Sequence, residues 1–259
     1  MRSAGSADAA DLSVDCSDLS VAERDGRRRV LEGLTFRIPR GGVLTVSGPS
    51  GSGKSVLAAL LAGRVGAGFR IDGGSAVVEG LDLRRARPAS VHSVVGYVGQ
   101  GDGAGLEPRM TVSELVAEPL LAGRRLRSRS AYASAARLTV ATALDEVGLA
   151  LGVADRYPYE LSAGMRQRVV IARVLVGSPR LLVADDLMAN LDLDGRRLAA
   201  GAVIRRIADG MAVLLAGDAA EPIGADAPRL VLRRGRAVGV ARGGNELWTP
   251  DQDGPDARI

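Results

Sequence analysis

The chain has 259 residues, a hydrophobic fraction of 46%, and a formal net charge of +4 from 34 basic and 30 acidic side chains. Lys54 is its one lysine, His92 its one histidine and Cys16 its one cysteine. The composition is that of a globular chain, and the single Cys and His exclude an intrachain disulfide, a Cys-cluster metal site and any mechanism built on a histidine pair.

Aromatic residues are only 3%, and acids nearly balance bases, so the basic excess reads as a solvated surface and not as a nucleic-acid footprint. No stretch approaches the roughly 20 apolar residues of a membrane span. Residues 1–11 read as a flexible lead without the apolar run of a secretory signal, so the expected location is cytosolic.

In chain order, residues 12–16, 33–38 and 43–47 read as strands separated by Arg-Asp-Gly-Arg and Pro-Arg-Gly-Gly turns. Residues 54–63 read as a helix with Val56, Leu57, Leu60 and Leu61 on one face. A strand-rich piece covers 69–83, and helical patterns follow at 111–122 and 129–150. Residues 162–176 read as a helix stopped by Gly177-Ser178-Pro179. A short apolar strand at 181–184, a helix at 195–208 and strands at 211–216 and 229–232 complete the pattern. Strands alternating with helices predict an α/β fold with a parallel sheet. The Gly-, Asp- and Pro-rich tail, 243–259, reads as loose.

Residues Gly48-Pro49-Ser50-Gly51-Ser52-Gly53-Lys54-Ser55 match G-x-x-x-x-G-K-[ST] in full, between a strand and a helix. Glycines let backbone N–H groups wrap a phosphate, and the helix N-terminus adds partial positive charge. Lys54 is placed to reach the β- and γ-phosphates, and the Ser55 hydroxyl to ligate Mg²⁺.

A second motif, Leu161-Ser162-Ala163-Gly164-Met165-Arg166-Gln167-Arg168, lies downstream, before an apolar strand ending in Asp185. With the phosphate loop, it makes the chain resemble the ABC ATPases. Its form is close to the LSGGMRQRV variant of ATP-binding subunits of oligopeptide, dipeptide and nickel importers. Leu106-Glu107-Pro108-Arg109-Met110-Thr111-Val112, followed by Ala117-Glu118-Pro119-Leu120, is similar to the LNPRMTV…AEPL segment of the same subgroup. The resemblance spans about residues 12–240. It implies a P-loop core with a mainly parallel sheet, an antiparallel β subdomain and an α-helical subdomain (about 104–170) carrying the signature, all within a domain of 12–242.

The resemblance also implies roles. Two such domains face head to tail with ATP and Mg²⁺ between them, and the signature, Leu161 to Met165, meets the γ-phosphate bound by the facing chain through Ser162 and Gly164. Gln100 matches the glutamine that touches Mg²⁺ and the attacking water. Asp185 matches the carboxylate that holds Mg²⁺, and Leu191-Asp192 the D-loop that crosses the dimer. Two transmembrane permease subunits, and indirectly an extracytoplasmic substrate-binding protein, are the implied partners. The implied place is the cytoplasmic face of the membrane, and no nucleic acid is implied.

Four departures from the family pattern concern ATP at the chain's own loop. Asp186 stands where a water-polarising Glu is usual, a carboxylate about 1.5 Å shorter in reach, and a misplacement of about 1 Å can cost roughly 10²-fold. Gly217, in the run Val213-Leu214-Leu215-Ala216-Gly217-Asp218, falls on the switch histidine, and His92 lies before Gln100 and cannot replace it. No aromatic near Glu23 is available to stack on adenine, because Phe36 reads as core; Arg27-Arg28-Arg29 reads as a solvated turn, with guanidinium stacking on adenine as the alternative. Leu187-Met188 replaces the usual Pro-Thr, and Ala163 the first signature glycine. The sequence therefore reads as an ATP-binding subunit with impaired hydrolysis at its own site, completing the site of a second, intact ATPase subunit in a heterodimer. The alternatives are a soluble ATP-gated assembly module without a transporter and a decayed paralogue.

Overall fold

The computed structural model describes residues 11–26, 28–66, 68–121, 129–217, 223, 225–242 and 246–248. Residues 1–10 of the expected lead, Arg27, Asp218 and the end of the expected tail (249–259) lie outside the described residues. In chain order the elements are β1 (Leu12–Glu23), β2 (Arg29–Pro39), β3 (Val43–Ser47), α1 (Lys54–Leu61), β4 (Phe69–Val78), β5 (Leu81–Asp82), α2 (Pro88–His92) and β6 (Val95–Val98). They continue with α3 (Val112–Leu121), α4 (Arg129–Glu146), α5 (Ala163–Val176), β7 (Leu181–Asp185), α6 (Leu193–Ala208), β8 (Ala212–Ala216), β9 (Arg229–Arg233), β10 (Arg236–Arg242) and β11 (Glu246–Trp248).

The strands form two sheets. A four-stranded antiparallel sheet has the order β2-β1-β4-β5, and a seven-stranded sheet the order β11-β10-β9-β3-β8-β7-β6. In the larger sheet β9, β3, β8, β7 and β6 run parallel, while β10 and β11 add antiparallel edges. Strands β7 and β8 are buried at every position, as expected of parallel strands covered on both faces. Alternate residues feed two cores. Leu182, Ala184, Val213 and Leu215 pack with α3, α4, α5 and α6. Leu181, Val183 and Leu214 pack with α1 and the antiparallel sheet, where Phe36 is fully buried.

A buried carboxylate joins the two sheets. Glu79 follows β4, and its side chain is shut off from solvent. It accepts a hydrogen bond of 2.6 Å from Ser13 Oγ, pairs with Arg40 at 2.8 Å from the β2–β3 turn, and has Arg180 at 3.9 Å just before β7.

Several elements differ from the sequence expectation, among them α2 and β6, in a stretch where no element was expected. Strand β1 runs on to Glu23, past residue 16 where the expected strand ended. The chain passes this point by a bulge, with Asp18 at φ 50° and register shifts toward both neighbours. Strand β10 was not expected; Arg234-Gly235 form the two-residue turn of its hairpin with β9, with both φ values positive, 49° and 82°. Glu246–Trp248, inside the expected loose tail, pairs with β10 as β11. The sheet edge supplies backbone partners that the local composition does not announce.

Candidate nucleotide-binding site

The phosphate loop joins β3 to α1, and its glycines are needed one by one. Gly48 has φ 144°, and a Cβ there would lie 2.1 Å from the Leu232 carbonyl oxygen on β9. Gly53 has φ 106°, and its Cβ would lie 2.5 Å from Leu31 Cδ2. Gly51 has φ 76° with nothing near its missing side chain, so backbone conformation alone selects glycine.

Helix α1 starts without a side-chain cap and without an acidic residue in its first turn. Its leading N–H groups therefore face outward with their partial positive charge uncompensated by the chain. Lys54 Nζ donates to the Gly48 carbonyl and, at 3.2 Å, to the Pro49 carbonyl, which places the ammonium over the loop. Ser52 Oγ is buried without a hydrogen-bond partner, and Ser55 is exposed at the second helical position. Gly-lined backbone, uncapped helix, ammonium and an orphaned hydroxyl together fit a polyphosphate.

A support absent from the sequence reading comes from the β9–β10 hairpin. Gly235 N donates to the Ser52 carbonyl at 2.9 Å, and Glu32 N donates to the Gly235 carbonyl at 2.8 Å. A Cβ at Gly235 would lie 2.2 Å from the Val30 carbonyl oxygen. The loop is thus braced from behind by a turn some 180 residues away. The signal was Arg234-Gly235 itself, a turn pair between two apolar runs.

The carboxyl ends of neighbouring parallel strands bring the other predicted residues together. Asp185 closes β7, is 7% exposed, and pairs in register with Ala216 at the end of β8. Asp186 N donates to the Ala216 carbonyl at 2.9 Å, and Gly217 N donates to the Val46 carbonyl at 3.1 Å. Asp186 is half-buried and has φ 64°, a left-handed conformation that Asp tolerates better than most residues. A proline next in the chain would push residue 186 toward extended backbone; Leu187, buried in the helical core, leaves it free. Gly217 has open space around its missing side chain.

Gln100 is exposed after β6, in a turn closed by Gly99 N donating to Asp102 Oδ2 at 2.7 Å. Beside it, the Tyr97 hydroxyl is held above its ordinary pKa by burial first, then by Asp185 and Asp102, with Arg64 acting in the opposite sense. Arg64 lies over the Tyr97 ring at 5.3 Å. His92 is exposed at the end of α2, its Nε2 3.2 Å from the Gly63 carbonyl oxygen.

The signature residues open α5. Leu161 is buried, and its carbonyl accepts from Arg166 Nη1 at 2.7 Å. Ser162 is the N-cap: its Oγ accepts from Met165 N at 3.1 Å. Ser162 and Ala163 are exposed, and Gly164 and Met165 half-buried. A Cβ at Gly164 would lie 2.9 Å from the Asn190 carbonyl oxygen, so the signature abuts the turn leading to Leu191-Asp192. Asp192 caps α6, its Oδ1 accepting from Gly195 N at 2.7 Å. Among the described residues no group of three or more His, Cys, Asp or Glu converges as a metal cage. The hydroxyl of Ser55, the carboxylate of Asp185 and the amide of Gln100, expected from the resemblance to hold Mg²⁺, are hard oxygen donors of the kind that ion takes.

The sequence profile of the ABC transporter family matches residues 31–189. A glutathione import ATP-binding protein of Pectobacterium atrosepticum is 34% identical over 92% of this chain and 40% of its own length. The oligopeptide transport ATP-binding protein OppF of Escherichia coli is 36% identical over 64% of this chain and 48% of its own length. The chain thus spans less than half the length of these relatives. The dimeric bacterial ABC transporter cassette MJ0796 superposes with a TM-score of 0.75, covering 90% of this chain and all of that one at 19% identity. An Atm1-family ABC exporter with ATP bound gives 0.72 at 25% identity, over 90% of this chain and 39% of that one. Phosphate loop, signature, strand-end carboxylates and these likenesses agree: the chain belongs to the ABC transporter family.

Proposed function

We propose that this chain is the ATP-binding subunit of a peptide-type ABC importer, that it binds Mg-ATP at residues 48–55, and that its own site hydrolyses ATP slowly or not at all. The observation that carries the reading is the contrast between strand ends. Strand β3 ends in a complete phosphate loop, and β7 in a buried Asp185. Beyond β8, Gly217 offers no side chain, and beyond β7 Asp186 offers a short carboxylate from left-handed backbone. Binding needs the first pair and hydrolysis also needs the second.

The signature keeps what a facing subunit needs: a capped helix with an exposed Ser162 and a closely seated Gly164. A homodimer would carry two defective sites, so a heterodimer with an intact ATPase subunit fits best. A groove of about 280 Å³ beside the Gln100 turn, lined by Arg64, Tyr97, Asp102, Pro119, Val174 and Pro179 among others, supports docking of the membrane subunits there. No described helix is long and apolar enough to cross a membrane. That accords with peripheral attachment on the cytoplasmic side.

The test is equilibrium binding of Mg-ATP to wild type and Lys54→Ala, with single-turnover hydrolysis in parallel. Binding by wild type alone, with hydrolysis below about 1 s⁻¹, the lower end of ordinary enzyme turnover, is expected. Hydrolysis by the purified chain at or above that rate refutes the impaired site, and absence of Mg-ATP binding refutes the reading as a whole.

A further inference from the structure

We propose that Gln167 is a positioning residue that latches the signature helix to the chain's own 186–192 turn. The surface offered to a facing ATPase then moves as one block with the Asp185–Asp186 carboxylates. The functional meaning rests on the ATP-binding reading above; the latch itself is a property of the nucleotide-free chain.

Few polar residues are buried among the described residues: Ser13, Ser20, Ser52, Gln167 and Asp185, besides the buried carboxylate of Glu79. Gln167 is 3% exposed in the middle of an apolar cluster where Leu or Met would fill the same space. A buried amide is costly unless its hydrogen bonds are made. Here Nε2 donates to the Leu187 carbonyl at 2.9 Å, twenty residues on in the chain. That carbonyl belongs to the residue after Asp186, whose left-handed backbone starts the turn. The turn runs on through Ala189 N to the Asp186 carbonyl at 3.1 Å and Leu191 N to the Met188 carbonyl at 3.3 Å.

Gly164 closes the same joint from the other end, three residues earlier on α5, where only a hydrogen fits against the Asn190 carbonyl. The Gln100 segment meets the joint too, since a Cβ at Gly103 would lie 3.4 Å from Gln167 N and Oε1. Packing alone would let α5 slide over the turn. A directional amide–carbonyl bond beside a glycine contact fixes the register between them.

The experiment is hydrogen exchange at the Met165, Arg166, Ala189 and Leu191 amides, in the full chain without nucleotide and with Mg-ATP. Wild type is compared with Gln167→Met, which keeps length and loses the donor, and Gln167→Glu, whose carboxylate repels the Leu187 carbonyl. Without nucleotide, the four wild-type amides are expected to open together. In Gln167→Met the turn amides should open roughly 5–10-fold more often than those of α5, the worth of one buried hydrogen bond, and Gln167→Glu should separate them further. With Mg-ATP, protection should reach α5 in wild type and stop at the turn in Gln167→Met.

Unequal opening in wild type, or equal opening in Gln167→Met, overturns the latch. If Gln167→Met does not fold, Gly164→Ala must separate the same amides, and equal opening there overturns it as well. A chain that shows the nucleotide-free pattern but does not bind Mg-ATP keeps the latch and loses the functional reading.

Discussion

Restoring the two missing groups is the most demanding test of the impaired site. The perturbation is Asp186→Glu with Gly217→His. The structure allows both. An added Cβ at Gly217 meets nothing within 4 Å, and its φ is not in the left-handed range, so a side chain is admitted there. Replacing Gly at a compatible position typically stabilises by about 0.4–1 kcal/mol through the unfolded chain. At Asp186 the φ of 64° disfavours Glu relative to Asp, by about 1 kcal/mol if the backbone does not relax. The two effects nearly cancel, so the double variant should melt within a few degrees of wild type. Its hydrolysis should rise. A carboxylate moved by about 1 Å is worth roughly 10²-fold, and a positioned acid–base group about 10²–10⁴-fold. The assay is single-turnover hydrolysis of Mg-ATP with protein in excess, so that a second copy supplies the facing signature. A folded double variant that binds Mg-ATP but hydrolyses it no faster than wild type would refute the assignment of positions 186 and 217.

Gly48→Ala should abolish Mg-ATP binding and lower stability by about 3 kcal/mol or more, because its Cβ is aimed at backbone 2.1 Å away; calorimetry and nucleotide titration check this. Ser162→Ala should cost about 1 kcal/mol in urea unfolding through loss of the α5 cap. It should also slow hydrolysis by a co-expressed partner ATPase in the assembled complex. Cys16 is buried on β1, and burial, then the Asp15 charge, raises its thiol pKa. The native chain should therefore resist a thiol-specific reagent at pH 8, and one thiol should react after denaturation; reaction of the native protein within minutes would contradict the buried placement.

The sequence carried the parallel core and the phosphate loop clearly, since runs such as Leu181 to Ala184 and the Gly-Lys-Ser turn are local signals. Lys54, Asp185, Asp186 and Gly217 were all readable as positions along the chain. What stayed hidden was set by distant backbone. The expected strand stopped at residue 16 because only pairing with β2 and β4 carries β1 through the Ser17-Asp18 bulge to Glu23. Gly235 drew no reading from the sequence, although its N–H braces Ser52. Gln167 reads as one more polar residue of a motif; its burial and its Leu187 partner exist only once α5 lies on the turn after β7. The left-handed backbone at Asp186 was equally silent, because Asp is a residue for which either hand is acceptable.

The proposed site lies at the carboxyl ends of β3, β6, β7 and β8, at or just beyond the last ladder residues of strands that fill the two cores. On the proposed reading each strand delivers its own group: loop and ammonium, glutamine, paired acids, and the place of the histidine. Asp186 and Gly217 are only half-buried and lie outside the two apolar cores, so these two positions can change by single substitution while the architecture persists. A chain of this build can lose turnover and keep nucleotide affinity without loss of stability. On the proposed reading it would thereby be suited to specialise from motor to ligand-gated clamp.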